Sequence, residues 1–268
     1  MKPTGSSLNP LKAKIAAGQP LLGIWSILPS PALAELLGFA GFDFQILDME
    51  HGTYQLGSAA DSIRAAEGAG CSPLVRVPGR DPFTIQPLLD AGAHGVVIPQ
   101  VRSAMDAREI VANMLFAPEG ARGYNPFTRV SRYCPPAILP EGRLDNSFPF
   151  ISLIIETENA FRELDEILSI SRIDGIYLGV YDMSIALGCG GDVRHPRIQQ
   201  FVEKAINETR LFKKSVGLMV RSDHEIRLAL EAGADFLVFG VDSLLFHSAA
   251  ADVVRAFRDL AGAQRGTH

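Results

Sequence analysis

Residues 73–99 read PLVRVPGRDPFTIQPLLDAGAHGVVIP. A short run rich in valine and leucine (73–77) leads into an amphipathic stretch (84–91). Gly92 and Gly95 then stand where a helix stops before the next strand, and a second apolar run follows at 95–99. This is a strand–helix–strand unit. Its strands are hydrophobic without alternation, as strands covered on both faces are.

The same rhythm extends in both directions. Further apolar runs at 21–26, 42–48, 150–156, 175–179, 215–220 and 236–240 bring the predicted strands to eight. Helical patterns fall at 31–39, 57–69, 84–91, 105–116, 158–169, 195–213 and 224–232, and a last one at 243–260. Gly41 and Gly233 repeat the helix stop. Eightfold alternation predicts an α/β fold of the (β/α)8 TIM-barrel class. No linker rich in Pro, Gly and Ser divides the chain, so residues 1–268 read as a single domain with its core at about 21–260. The proline-rich stretch 117–148, containing GARGYNPFTRVSRY (120–133), breaks the rhythm. Long loops of this kind usually serve function or an interface. Its arginines Arg122, Arg129, Arg132 and Arg143, with Arg162 beyond, either meet an anionic substrate or only the solvent.

Composition narrows the class. With 47% hydrophobic and 21% charged residues the chain is that of a globular protein and not of a disordered one. A formal charge of −5 argues against nucleic acid as a partner. No apolar run approaches the ~18 residues of a membrane span, and the first twenty residues lack the apolar core of a signal peptide. Cys71, Cys134 and Cys189 form no CxxC pair. They read as reduced thiols of a cytoplasmic protein, which leaves no thiolate zinc site.

Barrel chemistry belongs at the C-terminal ends of the strands. The second run ends in Asp48-Met49-Glu50-His51, the third carries Arg76, the fifth ends in Glu156, and the sixth leads into Gly179-Val180-Tyr181-Asp182. Glu156 and Asp182 come from neighbouring strands. Two carboxylates without a His or Cys partner suit a hard cation that keeps several waters, Mg²⁺, Mn²⁺ or Co²⁺. The alternative is that both are helix caps, at Thr157 and Met183. His51 has acidic neighbours in Asp48 and Glu50, and a carboxylate on one ring nitrogen raises the basicity of the other. Arg76 in a barrel mouth needs an anion, either a neighbouring carboxylate or a developing enolate. None of the six lysines falls at the C-terminal end of a strand, so no Schiff-base amine is on offer. Gly188-Cys189-Gly190-Gly191 lacks the Gly-Lys-Ser/Thr of a phosphate loop, and no GxGxxG opens a helix.

Together, FDFQILDMEH (42–51), PLVRV (73–77), LLDAGAHGVVIPQV (88–101), FAPEGARG (116–123), DGIYLGVYDMSIALG (174–188) and FGVDSLL (239–245) resemble the HpcH/HpaI aldolase family. These are metal-dependent aldolases of 2-keto-3-deoxy and 4-hydroxy-2-oxo acids, related to citrate lyase β chains. The resemblance implies reversible cleavage of a 4-hydroxy-2-oxo acid into pyruvate and an aldehyde. It implies a divalent metal on Glu156 and Asp182, a base at His51 oriented by Asp48 and Asp90, and an enolate-stabilising Arg76. Gly179, Tyr181 and Asp182 would hold the pyruvate carboxylate, with Ile154 and Trp25 also at the substrate. It further implies a homo-oligomer, trimer or hexamer, with the helix at 243–260 exchanged between subunits. Two positions depart from the family pattern. Gly-Pro-x-Asp has become Gly179-Val180-Tyr181-Asp182, and the glutamine two residues before the metal-binding Glu is Ile154. An acyl-CoA lyase of the citrate lyase β type and a barrel without activity are the competing expectations.

Overall fold

A computed structural model describes residues 9–133 and 146–265. All eight runs form strands: β1 (Leu21–Ser26), β2 (Phe44–Asp48), β3 (Ser72–Arg76), β4 (Gly95–Ile98), β5 (Phe150–Ile155), β6 (Gly175–Leu178), β7 (Ser215–Val220) and β8 (Phe236–Val241). Each is parallel to its neighbours, and β8 pairs with β1 to close the barrel. The fold is a (β/α)8 TIM barrel. Between the strands run α2 (Pro31–Phe39), α3 (Leu56–Gly68), α4 (Pro82–Asp90), α5 (Ala104–Ala112), α6 (Glu158–Arg162), α7 (Leu164–Leu168), α8 (Val180–Ala186), α9 (Pro196–Leu211) and α10 (Asp223–Ala232). The last helix is α11 (Asp242–Arg265).

Local chemistry sets most of these boundaries. Ser30 and Asp81 cap α2 and α4, each with a proline in the first turn, and Ser222 caps α10. Gly233 ends α10 at φ 92°, in the left-handed region that L side chains rarely adopt.

Two expectations are corrected. The helix expected over 158–169 is two short helices, because the chain turns at Glu163. There the Glu163 carboxylate accepts the Ala104 N–H at 2.8 Å, at the start of α5. The helix expected over 105–116 stops at Ala112, whose carbonyl accepts from Ala121 while that of Leu115 accepts from Arg122.

Side-chain alternation divides the core in two. Leu21 and Trp25 of β1, Phe44 and Ile46 of β2, Leu74 of β3, Val97 of β4, Phe150 and Ile154 of β5, Tyr177 of β6 and Phe236 of β8 fill the barrel interior. The alternate residues, Leu47, Val75, Val96, Leu153, Ile176 and Val216 among them, pack outward against the helices. Gly217 on β7 has no Cβ because the Phe236 ring occupies that space.

A further helix, α1 (Pro10–Ala16), lies beneath the N-terminal ends of the strands. Its Leu11 is buried with Leu21, Phe44, Phe150 and Phe236. The Asn9 amide donates to the carbonyls of His94 and Phe148 at 2.6 and 2.7 Å, which ties α1 across the barrel floor. The described residues that follow α5, 113–133, lie at the N-terminal end too. Arg122 there pairs with Asp90 at 2.6 Å, and Arg129 donates to the Ala91 carbonyl at 3.0 Å. These two arginines therefore face the end of the barrel opposite the expected chemistry. Cys134 and Arg143 lie outside the described residues. Among the described residues no helix is long and apolar enough to cross a membrane.

Candidate active site

Strand parity carries the inward row of β2 to Asp48 and that of β3 to Arg76, and the two are direct neighbours in the β2–β3 register. Asp48 is 1% exposed. It grips Arg76 with both oxygens: Nε donates to Oδ1 at 2.8 Å and an Nη donates to Oδ2. Oδ1 also accepts the backbone N–H groups of Glu50 and His51, at 3.0 and 3.2 Å, which fixes the turn after β2. The other Nη of Arg76 lies 3.3 Å from Glu50 Oε2. The guanidinium carbon sits 4.3 Å above the Trp25 ring, and the Trp25 indole N–H donates to the Tyr177 hydroxyl at 3.1 Å. Burial works against the charge on Arg76, but the hydrogen bonds and charge of Asp48, with that of Glu50, outweigh it and hold the guanidinium firmly protonated.

Glu156 follows β5 on the same inward row as Ile154. Its Oε1 accepts the Gln100 N–H at 2.6 Å, and it is 9% exposed. Burial raises its pKa above the usual carboxylate range. Asp182 and Glu50 push the same way, against the Gln100 N–H and Arg76. Gln100 holds φ at 55°, a conformation non-glycine residues seldom adopt, while its side-chain amide donates to Glu50 Oε1 at 3.0 Å. Opposite, a Cβ on Gly179 would stand 2.6 Å from that of Glu156 and 3.0 Å from Ile154 Cγ2, so only glycine fits. Asp182 lies in the first turn of α8, exposed at the rim. Tyr181 beside it accepts a hydrogen bond from Arg221 at the end of β7, 2.8 Å away, and the rest of that guanidinium is held by Glu225.

The arrangement therefore brings Asp48, Arg76, Glu156, Gly179, Ile154 and Trp25 to one end of the barrel, with Tyr181 and Asp182 on its rim. Expectations about His51 need correction. The Asp48 carboxylate is spent on Arg76 and meets only the backbone of His51. The imidazole is largely exposed, with Nε2 3.9 Å from Glu50 Oε2. Asp90 ends α4 at the far end of the barrel, paired with Arg122, so a single chain does not bring it to His51. Neither Glu156 nor Asp182 is a helix cap. Thr157 caps α6 with its own hydroxyl, and the residue before α8 is Gly179. Gln100 is a member of the site that the sequence reading does not name, and Glu50 enters it through Arg76 and Gln100 rather than only as a neighbour of His51. The signal for Gln100 was a polar residue just past the end of the fourth strand.

Glu156 and Asp182 fit a divalent cation. Their oxygens are hard donors, and the mutual repulsion with Glu50 that disfavours the charge on Glu156 is what a cation relieves. Among the described residues no group of three or more His, Cys, Asp or Glu side chains forms a metal cluster.

The family model described as HpcH/HpaI aldolase/citrate lyase matches residues 21–249. The chain belongs to this family. Its members are carbon–carbon lyases, and this chain is an enzyme of that kind. A 5-keto-4-deoxy-D-glucarate aldolase of Escherichia coli is 32% identical over 250 residues, 93% of this chain and 97% of the relative. The crystal structure of a family protein from Burkholderia cenocepacia superposes with a TM-score of 0.87 at 27% identity, covering 93% of this chain and 99% of that one. The citrate synthase SbnG superposes with a TM-score of 0.83 at 25% identity, over 94% of this chain and 98% of that one.

Proposed function

We propose that this enzyme is a class II aldolase that reversibly cleaves a 4-hydroxy-2-oxo acid into pyruvate and an aldehyde. The observation that carries the reading is Arg76, a half-buried cation locked by Asp48 and Trp25 within reach of the Glu156 carboxylate's field. Such a donor is aimed before any substrate arrives, which is the condition for stabilising charge that develops in a transition state.

In cleavage, a base takes the proton of the C4 hydroxyl, the C3–C4 bond breaks, and its electron pair becomes the enolate of pyruvate. In this reading His51 holds that proton, at the rim where the aldehyde leaves. Arg76 faces the enolate oxygen. Protonation at C3 then gives pyruvate. Glu156 and Asp182 would hold Mg²⁺, Mn²⁺ or Co²⁺, which supplies Lewis acidity toward the oxygens of the 2-oxo acid. Ile154 and Gly179 form a wall without side-chain hydrogen bonds beside them. Apolar Leu244, Phe246, Val253, Phe257 and Leu260 stand exposed on α11 in the single chain, which supports a homo-oligomer, trimer or hexamer, with this helix on a partner.

Incubation with pyruvate and Mg²⁺, Mn²⁺ or Co²⁺ in deuterated water, followed by NMR, tests the reading. Loss of the methyl proton signal is expected, whatever the aldehyde. No exchange above the protein-free rate with any of the three cations would overturn the reading.

A further inference from the structure

Tyr177 is buried inside the barrel and touches neither Glu156 nor Arg76 by a hydrogen bond. Its ring lies edge-on to Trp25, centroids 5.4 Å apart and planes at 88°, and tilts against Phe236 at 6.4 Å. In this interior of leucine, isoleucine and phenylalanine, a phenol brings one thing that a phenylalanine would not, an oxygen. That oxygen accepts the Trp25 indole N–H at 3.1 Å. Trp25 in turn is 4% exposed and presents its ring to the Arg76 guanidinium at 4.3 Å. The three side chains come from β6, β1 and β3, so the contact is made across the barrel interior rather than along one strand.

We propose that Tyr177 is a positioning residue for the aldol chemistry: by holding the Trp25 indole N–H it fixes the ring on which the Arg76 guanidinium rests. This rests on the function proposed above. Asp48 fixes the guanidinium along one edge and Glu50 lies 3.3 Å from its remaining nitrogen, but neither carboxylate supports the face of the guanidinium plane against tilt. The aromatic face beneath removes that freedom, provided the indole itself cannot turn. A buried indole N–H without an acceptor would reorient to find one. Tyr177 is not itself a proton carrier. Burial raises its pKa far above neutrality, so it stays a neutral phenol in any working range.

The test uses three full-length variants, Tyr177→Phe, Trp25→Phe and the double variant, assayed for deuterium exchange into pyruvate with saturating Mn²⁺. Tyr177→Phe removes one oxygen and is expected to slow exchange about 3- to 10-fold, the factor that corresponds to one lost hydrogen bond. The KM for pyruvate should stay within about twofold, since the effect falls on the enolate. In the Trp25→Phe background there is no indole N–H to hold, so adding Tyr177→Phe should change the rate by less than about twofold. Trp25 is the only tryptophan in the chain, so its fluorescence reports on this contact alone. The emission maximum should move in Tyr177→Phe and also in Arg76→Met. An equal loss on Tyr177→Phe in both backgrounds, or an emission spectrum unmoved by it, overturns the proposal. Should Tyr177→Phe fail to fold, the double variant, which lacks the orphaned donor, is expected to fold; its failure would mark Tyr177 as packing only and overturn the proposal too. Absence of exchange in the wild-type enzyme is a separate outcome. It overturns the proposed function and takes this inference with it.

Discussion

Replacing Arg76 by methionine separates what the arginine does for stability from what it does for catalysis. The wild-type side chain spends two N–H donors on Asp48 and a third nitrogen on Glu50, and is largely shielded from solvent. Methionine keeps much of the volume and the contact with Trp25 but leaves the Asp48 carboxylate, 1% exposed, with only the backbone N–H groups of Glu50 and His51. Removing one partner of such a buried pair costs about 3–5 kcal/mol, which a domain of ordinary stability survives. Turnover should fall by roughly 10²–10³, as on loss of one oxyanion donor. The double variant Asp48→Asn/Arg76→Met keeps an acceptor for the two backbone amides and removes the orphaned charge. It should regain most of the stability and none of the turnover. Urea denaturation and methyl exchange into pyruvate measure the two effects. A single variant destabilised by less than about 1 kcal/mol would show that Asp48 does not depend on Arg76. One that exchanges at nearly the wild-type rate would refute the enolate role.

Other consequences can be checked on the same preparation. A divalent cation at about a hundred times its dissociation constant should stabilise the enzyme by ~2.7 kcal/mol, or ~5–10 °C in Tm, and Glu156→Gln or Asp182→Ala should abolish the shift. Because Glu156 is held above the usual carboxylate range, metal-free stability should fall as pH rises through its folded-state value. Protons should also compete with the cation, so more metal should be needed as pH is lowered; a pH-independent metal requirement would contradict this. Ile154→Gln should lower the KM for pyruvate by up to roughly tenfold, the size of a neutral hydrogen bond, and leave 2-oxobutyrate unimproved; an equal response of both donors would make Ile154 plain packing.

What was legible in the chain and what was not divides by range. Unbroken apolar runs mark all eight strands, because a strand covered by the barrel interior on one face and helices on the other has no polar face to show. Side-chain parity then places Asp48, Arg76, Ile154 and Glu156 inside at the C-terminal end, since a strand that starts with an inward Phe44 must have Ile46 and Asp48 inward as well. Helix α1 was not among the expected helices, and nothing local says that Leu11 would close the barrel floor. Most of the errors concern partners distant in sequence. Asp48 was read as serving His51, three residues on, when its true partner Arg76 is 28 residues away and becomes a neighbour only through the β2–β3 register. The single helix expected over 158–169 fails because Glu163 is drawn to Ala104, 59 residues back. Asp90 follows from the same geometry. A helix that leaves the C-terminal end of β3 must finish at the other end of the barrel, so its last residue cannot share a site with His51 inside one chain.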